Sequence, residues 1–229
     1  MTDPAEGIGP LDDDYDRIAP RRGAGAATRT LFLLCLLPEL LLSGAEAGLW
    51  GDTRWRATAI EFAGFWPGLL TSWAPNYPAQ PWAMFLTYGF LHAGLLHFAV
   101  NMLTLFSLAP PVVQRVGVGR FLGIYVLALA GGALGYVMLS NWTAPLVGAS
   151  GALFGLAGTL LSWDYSERRA RGLRLTPVWR AIALLAGLNL ILWYAMHGLL
   201  AWQTHLGGFV AGWLVARYLE PPILSKIRS

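Results

Sequence analysis

Runs of apolar residues about as long as a bilayer is thick divide this chain, and nothing else about it narrows the possible folds so far. A membrane-crossing helix needs roughly 20 mostly apolar residues. Such runs lie at 30–50, 91–109, 121–140, 150–163, 178–196 and 199–219. Pro110-Pro111 closes the second run and Pro221-Pro222 follows the sixth; the fourth is short. Composition agrees. Charged residues make up 13% of the chain, against about 25% in soluble domains. The expected fold is therefore all-α: a polytopic membrane bundle of six transmembrane helices in one domain over 30–220, with the lipid bilayer as its solvent. Residues 1–29 are polar, partly acidic and rich in Gly and Ala. They read as a disordered cytoplasmic tail with no mark of a cleaved signal peptide, and 221–229 as a short cytoplasmic C-terminal tail.

Residues 51–80 are mixed, with Arg54, Arg56, Glu61, Pro and Trp among them. They read as a long first outer loop holding an interfacial amphipathic segment. Charge sets the orientation. With both termini inside, the inner segments hold Arg17, Arg21, Arg22 and Arg29; Arg115 and Arg120; Arg168, Arg169, Arg171, Arg174 and Arg180; and Arg217, Lys226 and Arg228. The outer loops hold only Arg54 and Arg56. The excess of inner positive charge predicts a cytoplasmic N-terminus. Trp50, Trp55, Trp66, Trp73, Trp82 and Trp142 then gather at the outer face, where amphipathic indoles sit well. A net charge of +3 is too small to argue for nucleic acid. The lone cysteine, Cys35, excludes an intrachain disulfide and a Cys-based metal site, and reads as a buried packing thiol.

In this topology the second, fourth and sixth spans run from outside to inside. His97 and Asn101 near the start of the second, Ser150 at the start of the fourth and His205 in the first turns of the sixth all fall in the outer half of the membrane. Polar groups at that depth are costly and usually functional when they face the bundle. His97 and Asn101, four apart, share a helix face. A fourth span of 150–163 is roughly 20 Å long at about 1.5 Å per residue, in a hydrocarbon core of roughly 30 Å. Ser150 then lies about 10 Å below the outer surface, and the loop before it must dip into the protein. Irregular backbone there is tolerated only where protein or a wet cavity surrounds it. Gly151 and Gly155 form a GxxxG with Gly158 near the same face, and Gly208 and Gly212 form another. Small residues let helices approach closely in lipid. His205 shares the glycine face of its span and Ser150 directly precedes Gly151, so packing the two faces together sets hydroxyl beside imidazole.

Gly148-Ala149-Ser150-Gly151 resembles the GxSG serine motif of rhomboid proteases, the segment from His205 to Gly212 their HxxGxxxG helix, and His97 to Asn101 their HxxxN element, with His92 also placed as in that family. The likeness runs over 30–220. It implies a six-helix rhomboid-like bundle and an intramembrane serine endopeptidase, cutting transmembrane helices of other membrane proteins near the outer face. By the same resemblance Ser150 is the nucleophile and His205 its general base. The Ser150 N–H with His97 and Asn101 forms the oxyanion hole. Phe154 stacks on His205, and Gly148 leaves room for substrate. The alternative is a catalytically inactive relative that binds or chaperones membrane clients. One departure stands out: many relatives carry Trp-Arg shortly before the second span, where this chain has Trp82-Ala83, while a Trp55-Arg56 pair lies earlier.

No Asp or Glu stands at the outer end of the fourth or sixth span, which predicts a Ser-His dyad with an imidazole oriented by packing. No metal or nucleotide cofactor is implied; the four His are scattered and none sits in an HExxH pattern. Taken singly, each residue also has a plain structural reading. Ser150 can cap a helix, His205 can be an interfacial histidine, and His97 and Asn101 can be an interhelical pair. His92 and His197 read as structural or interfacial, Glu39 as a partnered or water-facing acid, and the Arg168 to Arg174 cluster as a topology signal against anionic lipid. The tail and the compact plan suit a bacterial inner membrane.

Overall fold

A segment in lipid must satisfy its own backbone, which favours long helices over every open alternative. The computed structural model describes residues 23–140 and 144–219. Within them the helices are α1 (Ala24–Glu46), α2 (Trp55–Ala63), α3 (Gln80–Thr87), α4 (Leu95–Val116), α5 (Val118–Leu139), α6 (Ser150–Ala170), α7 (Thr176–Ala195) and α8 (Trp202–Tyr218). Helices α1, α4, α5 and α7 are long and apolar enough to cross a membrane. The chain is an all-α, polytopic, integral membrane protein. Leu33, Leu37 and Leu41 on α1, Leu96 and Leu103 on α4, and Leu184 and Ile191 on α7 are exposed, as a lipid-facing surface requires.

Helices α6 and α8 are not among these four, α6 because its C-terminal half is charged and α8 because it is short. Helix α6 continues past Trp163 into Asp164, Glu167, Arg168 and Arg169, and α8 has 17 residues. Helix α8 lies between α5 and α6. A Cβ added at Gly207 would strike Gly131 and Gly135 of α5, and one at Gly208 or Gly212 would strike the carbonyls of Gly151 or Gly155 of α6. Hydroxyls and an indole fasten the part of the α6–α8 seam toward the C-terminal ends of both helices. Thr159 Oγ1 donates to the Gly212 carbonyl at 3.1 Å, Ser162 Oγ to Trp213 O at 3.0 Å, and Trp163 Nε1 to Ala216 O at 3.2 Å. Helix α1 packs on α4 through Phe32, whose ring lies 5.9 Å from Phe98 and 5.4 Å from Phe106. Helix α7 stands apart, with Val178 its buried residue.

Several boundaries differ from the sequence reading. Helix α1 begins at Ala24, so the last residues assigned to the tail are helical. Buried Ala24, Ala27 and Thr28 hold this turn, and Thr28 Oγ1 donates to Ala24 O at 2.9 Å. Residues 1–22, the rest of that tail, and 220–229 lie outside the described residues, as does Trp142. Helix α4 starts at Leu95 and runs through Pro110-Pro111 to Val116, where Gly117 stops it at φ 83°. A proline interrupts a helix by losing a hydrogen bond and crowding the previous turn. Within a packed membrane bundle its neighbours compensate, and here Val112, Val113 and Val116 beyond the prolines are buried.

The loop between α1 and α4 is built as a layer on the bundle. It carries α2, a 3-10 turn at Pro67–Leu70 and α3, and a second 3-10 turn at Tyr88–Phe90 leads toward α4. Phe65 and Leu146 exchange backbone hydrogen bonds of 3.0 and 2.9 Å as an antiparallel bridge, and Gly148 N–H donates to Tyr88 O at 2.9 Å. Leu146, Gly148 and Ala149 are buried. The segment before α6 therefore dips into protein, with its polar backbone paired by the loop.

Candidate active site

The first turns of α6 and α8, the loop before α6, and helices α4 and α7 build the site. Ser150 is the first residue of α6. The N-cap position belongs to Ala149, so Ser150 stands one place inside the helix and not at the cap. Its Oγ lies 2.9 Å from Nε2 of His205, in the first turn of α8. The contact follows from the glycine seam. Gly151 and Gly208, next to Ser150 and one turn beyond His205, meet backbone to backbone. Without side chains between them the two helices come close enough for a direct hydroxyl–imidazole hydrogen bond.

Packing and a second hydrogen bond fix the imidazole. The Phe154 ring, one turn after Ser150, stacks on His205 with centroids 4.2 Å apart and planes 4° from parallel. Asn189 Oδ1 of α7 lies 2.8 Å from His205 Nδ1. The sequence reading expected orientation by packing alone and missed Asn189. The signal was there: an amide inside an otherwise apolar span, six residues before the end of α7, is roughly 9 Å below that end, close to the depth expected for Ser150. Beside His205 and Asn189 a largely apolar cleft of about 620 Å³ opens between α7 and α8, with Leu185, Trp193 and Phe209 among its walls.

His97 stands beside Gly148, two residues before Ser150. A Cβ built on Gly148 would fall 2.7 Å from His97 Cε1 and 2.9 Å from Nε2, and Gly148 has φ 117°. Both the space and the left-handed backbone require glycine there. His97 Nδ1 accepts from Ala93 N–H at 3.3 Å, which leaves Nε2 to carry the proton of the neutral ring. Asn101 is buried and its Nδ2 donates to His97 O at 2.9 Å. His92 is buried with its ring edge-on to His97, centroids 5.2 Å apart. His197, just past the C-terminal end of α7, is exposed and contributes nothing to the site. Among the described residues no group of three or more His, Cys, Asp or Glu converges as a metal site needs.

Glu39 is a partnered structural acid. The Arg56 guanidinium reaches down from α2 to both of its carboxylate oxygens at 3.0 Å, and also meets Glu46 Oε1 at 2.8 Å, Ser43 Oγ at 2.9 Å and the His92 carbonyl at 2.6 Å. Burial pulls the Arg56 pKa down, but the hydrogen bonds to Glu46 and Glu39 outweigh it and the net direction is up. The arginine of the early Trp55-Arg56 pair thus anchors the α1–α4 loop to α1 and to the turn before α4, while Trp82 lies exposed.

Comparison with known proteins agrees with this arrangement. A family model described as the Rhomboid domain matches residues 78–221. The chain is 34% identical over 141 residues to Rhomboid protease GluP of Bacillus subtilis, a match covering 62% of this chain and 27% of that protein. It is 33% identical over 131 residues to RHOMBOID-like protein 5 of Arabidopsis thaliana, covering 55% and 40%. It is also 30% identical over 164 residues to Inactive rhomboid protein 2 of Homo sapiens, covering 68% and 18%. The matches span less than half of each relative's own length. The family model covers more than half of this chain and contains the segments bearing His97, Asn101, Ser150 and His205, so the chain belongs to the rhomboid family.

Proposed function

We propose that the chain is an intramembrane serine endopeptidase that cleaves transmembrane helices of other membrane proteins near the outer face. The observation that carries the reading is the 2.9 Å contact between Ser150 Oγ and His205 Nε2 across the α6–α8 seam. A serine hydroxyl is a weak nucleophile until a base takes its proton, and a neutral imidazole within hydrogen-bond reach is such a base. His205 Nε2 takes the Oγ proton as the new Oγ–C bond forms on a peptide carbonyl. The imidazolium gives that proton to the amine nitrogen as the C–N bond breaks. Water then attacks the acyl-enzyme, losing a proton to His205, and Ser150 recovers its own as the new carboxyl group leaves. The Ser150 N–H and the side chains of His97 and Asn101 stabilise the oxyanion, with no metal or nucleotide taking part. A GluP relative bearing the name of protease is in keeping with this chemistry.

The substrate's scissile bond must leave its own helix, because a helical carbonyl is engaged four residues along. Helix-weakening residues such as Gly and Ser near the outer interface therefore favour cleavage. The apolar cleft between α7 and α8 supports a lateral approach from lipid. In this reading six helices span the membrane, α6 and α8 included. Both termini are cytoplasmic and the setting is a bacterial inner membrane.

The experiment is incubation of the purified protein in proteoliposomes with a labelled transmembrane helix, beside Ser150→Ala. The expected result is cleavage by the parent chain and none by the variant. The competing reading, a non-cleaving binder of membrane clients, has one concrete point in its favour, the match to Inactive rhomboid protein 2. A fluorophosphonate probe separates the two: labelling at Ser150 that disappears in His205→Ala supports the enzyme, and an unlabelled parent chain refutes it.

A further inference from the structure

We infer that Asn189 of α7 is a positioning residue that orients His205 and selects its reactive tautomer, so that the site works as a Ser150–His205–Asn189 relay of hydrogen bonds. The inference rests on the serine-protease reading above and goes beyond it, since nothing in that reading needs a group on α7.

The geometry is specific. His205 makes hydrogen bonds through both ring nitrogens, Nε2 to Ser150 Oγ at 2.9 Å and Nδ1 to Asn189 Oδ1 at 2.8 Å. A neutral imidazole has one N–H and one lone pair. An amide oxygen can only accept, so the N–H belongs on Nδ1. The lone pair then falls on Nε2, the nitrogen that must take the hydroxyl proton. In the other tautomer Nε2–H would point at Ser150 and the base would be blocked. Phe154 restricts the ring to one plane by stacking, but a stack does not choose between tautomers. Asn189 does.

Chemistry at this depth explains why the third group is an amide. In a triad the orienting group is commonly a carboxylate, and the same constellation also occurs with asparagine. A carboxylate inside the membrane must be desolvated and paired. The buried acid among the described residues lies elsewhere: Glu39 is engaged by Arg56. Asn189 supplies the acceptor with no charge to bury. It does so from the helix least tied to the bundle, on the wall of the apolar cleft.

The full-length chain in proteoliposomes tests this, with Asn189→Leu, which keeps the size and removes the acceptor, and Asn189→Asp, which keeps an acceptor. Two rates are measured: turnover of a labelled transmembrane helix, and acylation of Ser150 by a small soluble fluorophosphonate. Asn189→Leu is expected to lower kcat and the acylation rate together by about tenfold to a hundredfold, a usual cost of losing a group that orients a functional imidazole, with KM within about twofold. Asn189→Asp is expected to recover most of the acylation rate. Nitrogen-15 spectra of His205 give a readout that does not depend on the aspartate variant folding: Nδ1-protonated in the parent chain, mixed in Asn189→Leu. A change in KM alone, with acylation and tautomer as in the parent, would make Asn189 a mere lining of the cleft and overturn the inference. An inert parent chain would instead overturn the protease reading itself.

Discussion

Gly212 of α8 faces the Gly155 carbonyl of α6 so closely that a Cβ at 212 would overlap the oxygen, and Gly208 stands in the same relation to Gly151. These two contacts, four residues apart on each helix, set the distance between the helices. They thereby set the distance between Ser150 and His205, which no main-chain hydrogen bond joins. The spacing of the candidate nucleophile and base is a property of the backbones, and a side chain placed in the seam acts on both.

Gly212→Ala should therefore force α6 and α8 apart. Overpacking a tight contact typically costs about 1–3 kcal/mol, and lipid offers no easy relaxation for a central helix. The expected outcome is a lower unfolding temperature in detergent together with slower Ser150 labelling by a fluorophosphonate. Gly119→Ala on α5, where a Cβ meets nothing within 4 Å, serves as the control and should leave both unchanged. Equal behaviour of the two variants would show that the seam does not set the spacing.

Arg56 and Glu39 form a buried pair that joins the α1–α4 loop to α1, with side chains 9% and 1% exposed. Removing one member of such a pair typically costs about 3–5 kcal/mol, because the other charge stays buried without a partner. Replacing both with apolar groups of similar size is far milder. Arg56→Met is thus expected to destabilise strongly, and the Arg56→Met, Glu39→Leu double variant to recover much of the loss. A double-mutant cycle on denaturation midpoints checks this; additive losses would mean that the pair is not coupled.

How much of this was legible beforehand depended on whether one segment or two had to be read. Apolar runs announced the spans because lipid imposes a local demand on each stretch of chain. The glycine faces announced the meeting of Ser150 and His205 because both residues sit in register with their own GxxxG. Helix α4 ran on through Pro110-Pro111 because Val112, Val113 and Val116 found partners in other helices, and no local rule counts those. Arg56 looked like a loop charge, and only its reach to Glu39 and the His92 carbonyl made it structural. Asn189 carried a visible signal, an amide inside an apolar helix, but its meaning lay in a ring nitrogen on α8.

Phe154 holds the His205 ring by a near-parallel stack. Aromatic pairs contribute about 0.5–1.5 kcal/mol beyond the area they bury, which corresponds to roughly twofold to tenfold in rate if the stacked rotamer is the reactive one. Phe154→Ala should reduce kcat by about that factor, while Phe154→Tyr keeps the ring and should stay near the parent rate. Steady-state cleavage of a labelled helix gives the comparison. A tyrosine variant as slow as the alanine variant would argue against stacking as the cause.

Gly148 combines a φ of 117° with a His97 ring in the space of its missing Cβ. An alanine there must displace His97 or the backbone of the segment before Ser150, and it is strained in either case. If His97 and the Ser150 N–H both serve the oxyanion, Gly148→Ala disturbs two donors with one methyl group. Loss of one donor typically costs about a hundredfold to a thousandfold in rate, so at least a hundredfold fall in kcat is expected. Cleavage assays beside an unfolding measurement check it, and a variant that cleaves at the parent rate would remove His97 from the oxyanion hole.

Two readings of Asn101 can be told apart. Its Nδ2 donates to the His97 carbonyl one turn back in α4, a bond that only steadies the helix, and an amide nitrogen has a second hydrogen to give. If that hydrogen meets the oxyanion, Asn101→Ala should lower kcat by about a hundredfold to a thousandfold. KM should barely change, because the charge it stabilises exists in the transition state and not in the bound substrate. If Asn101 only supports α4, the variant should lose stability and its residual activity should return at lower temperature, where the folded fraction recovers. Measuring kcat, KM and the unfolding temperature on one preparation decides between the roles. A large kcat defect with an unchanged unfolding temperature assigns the amide to the oxyanion, and proportional losses of both assign it to the helix.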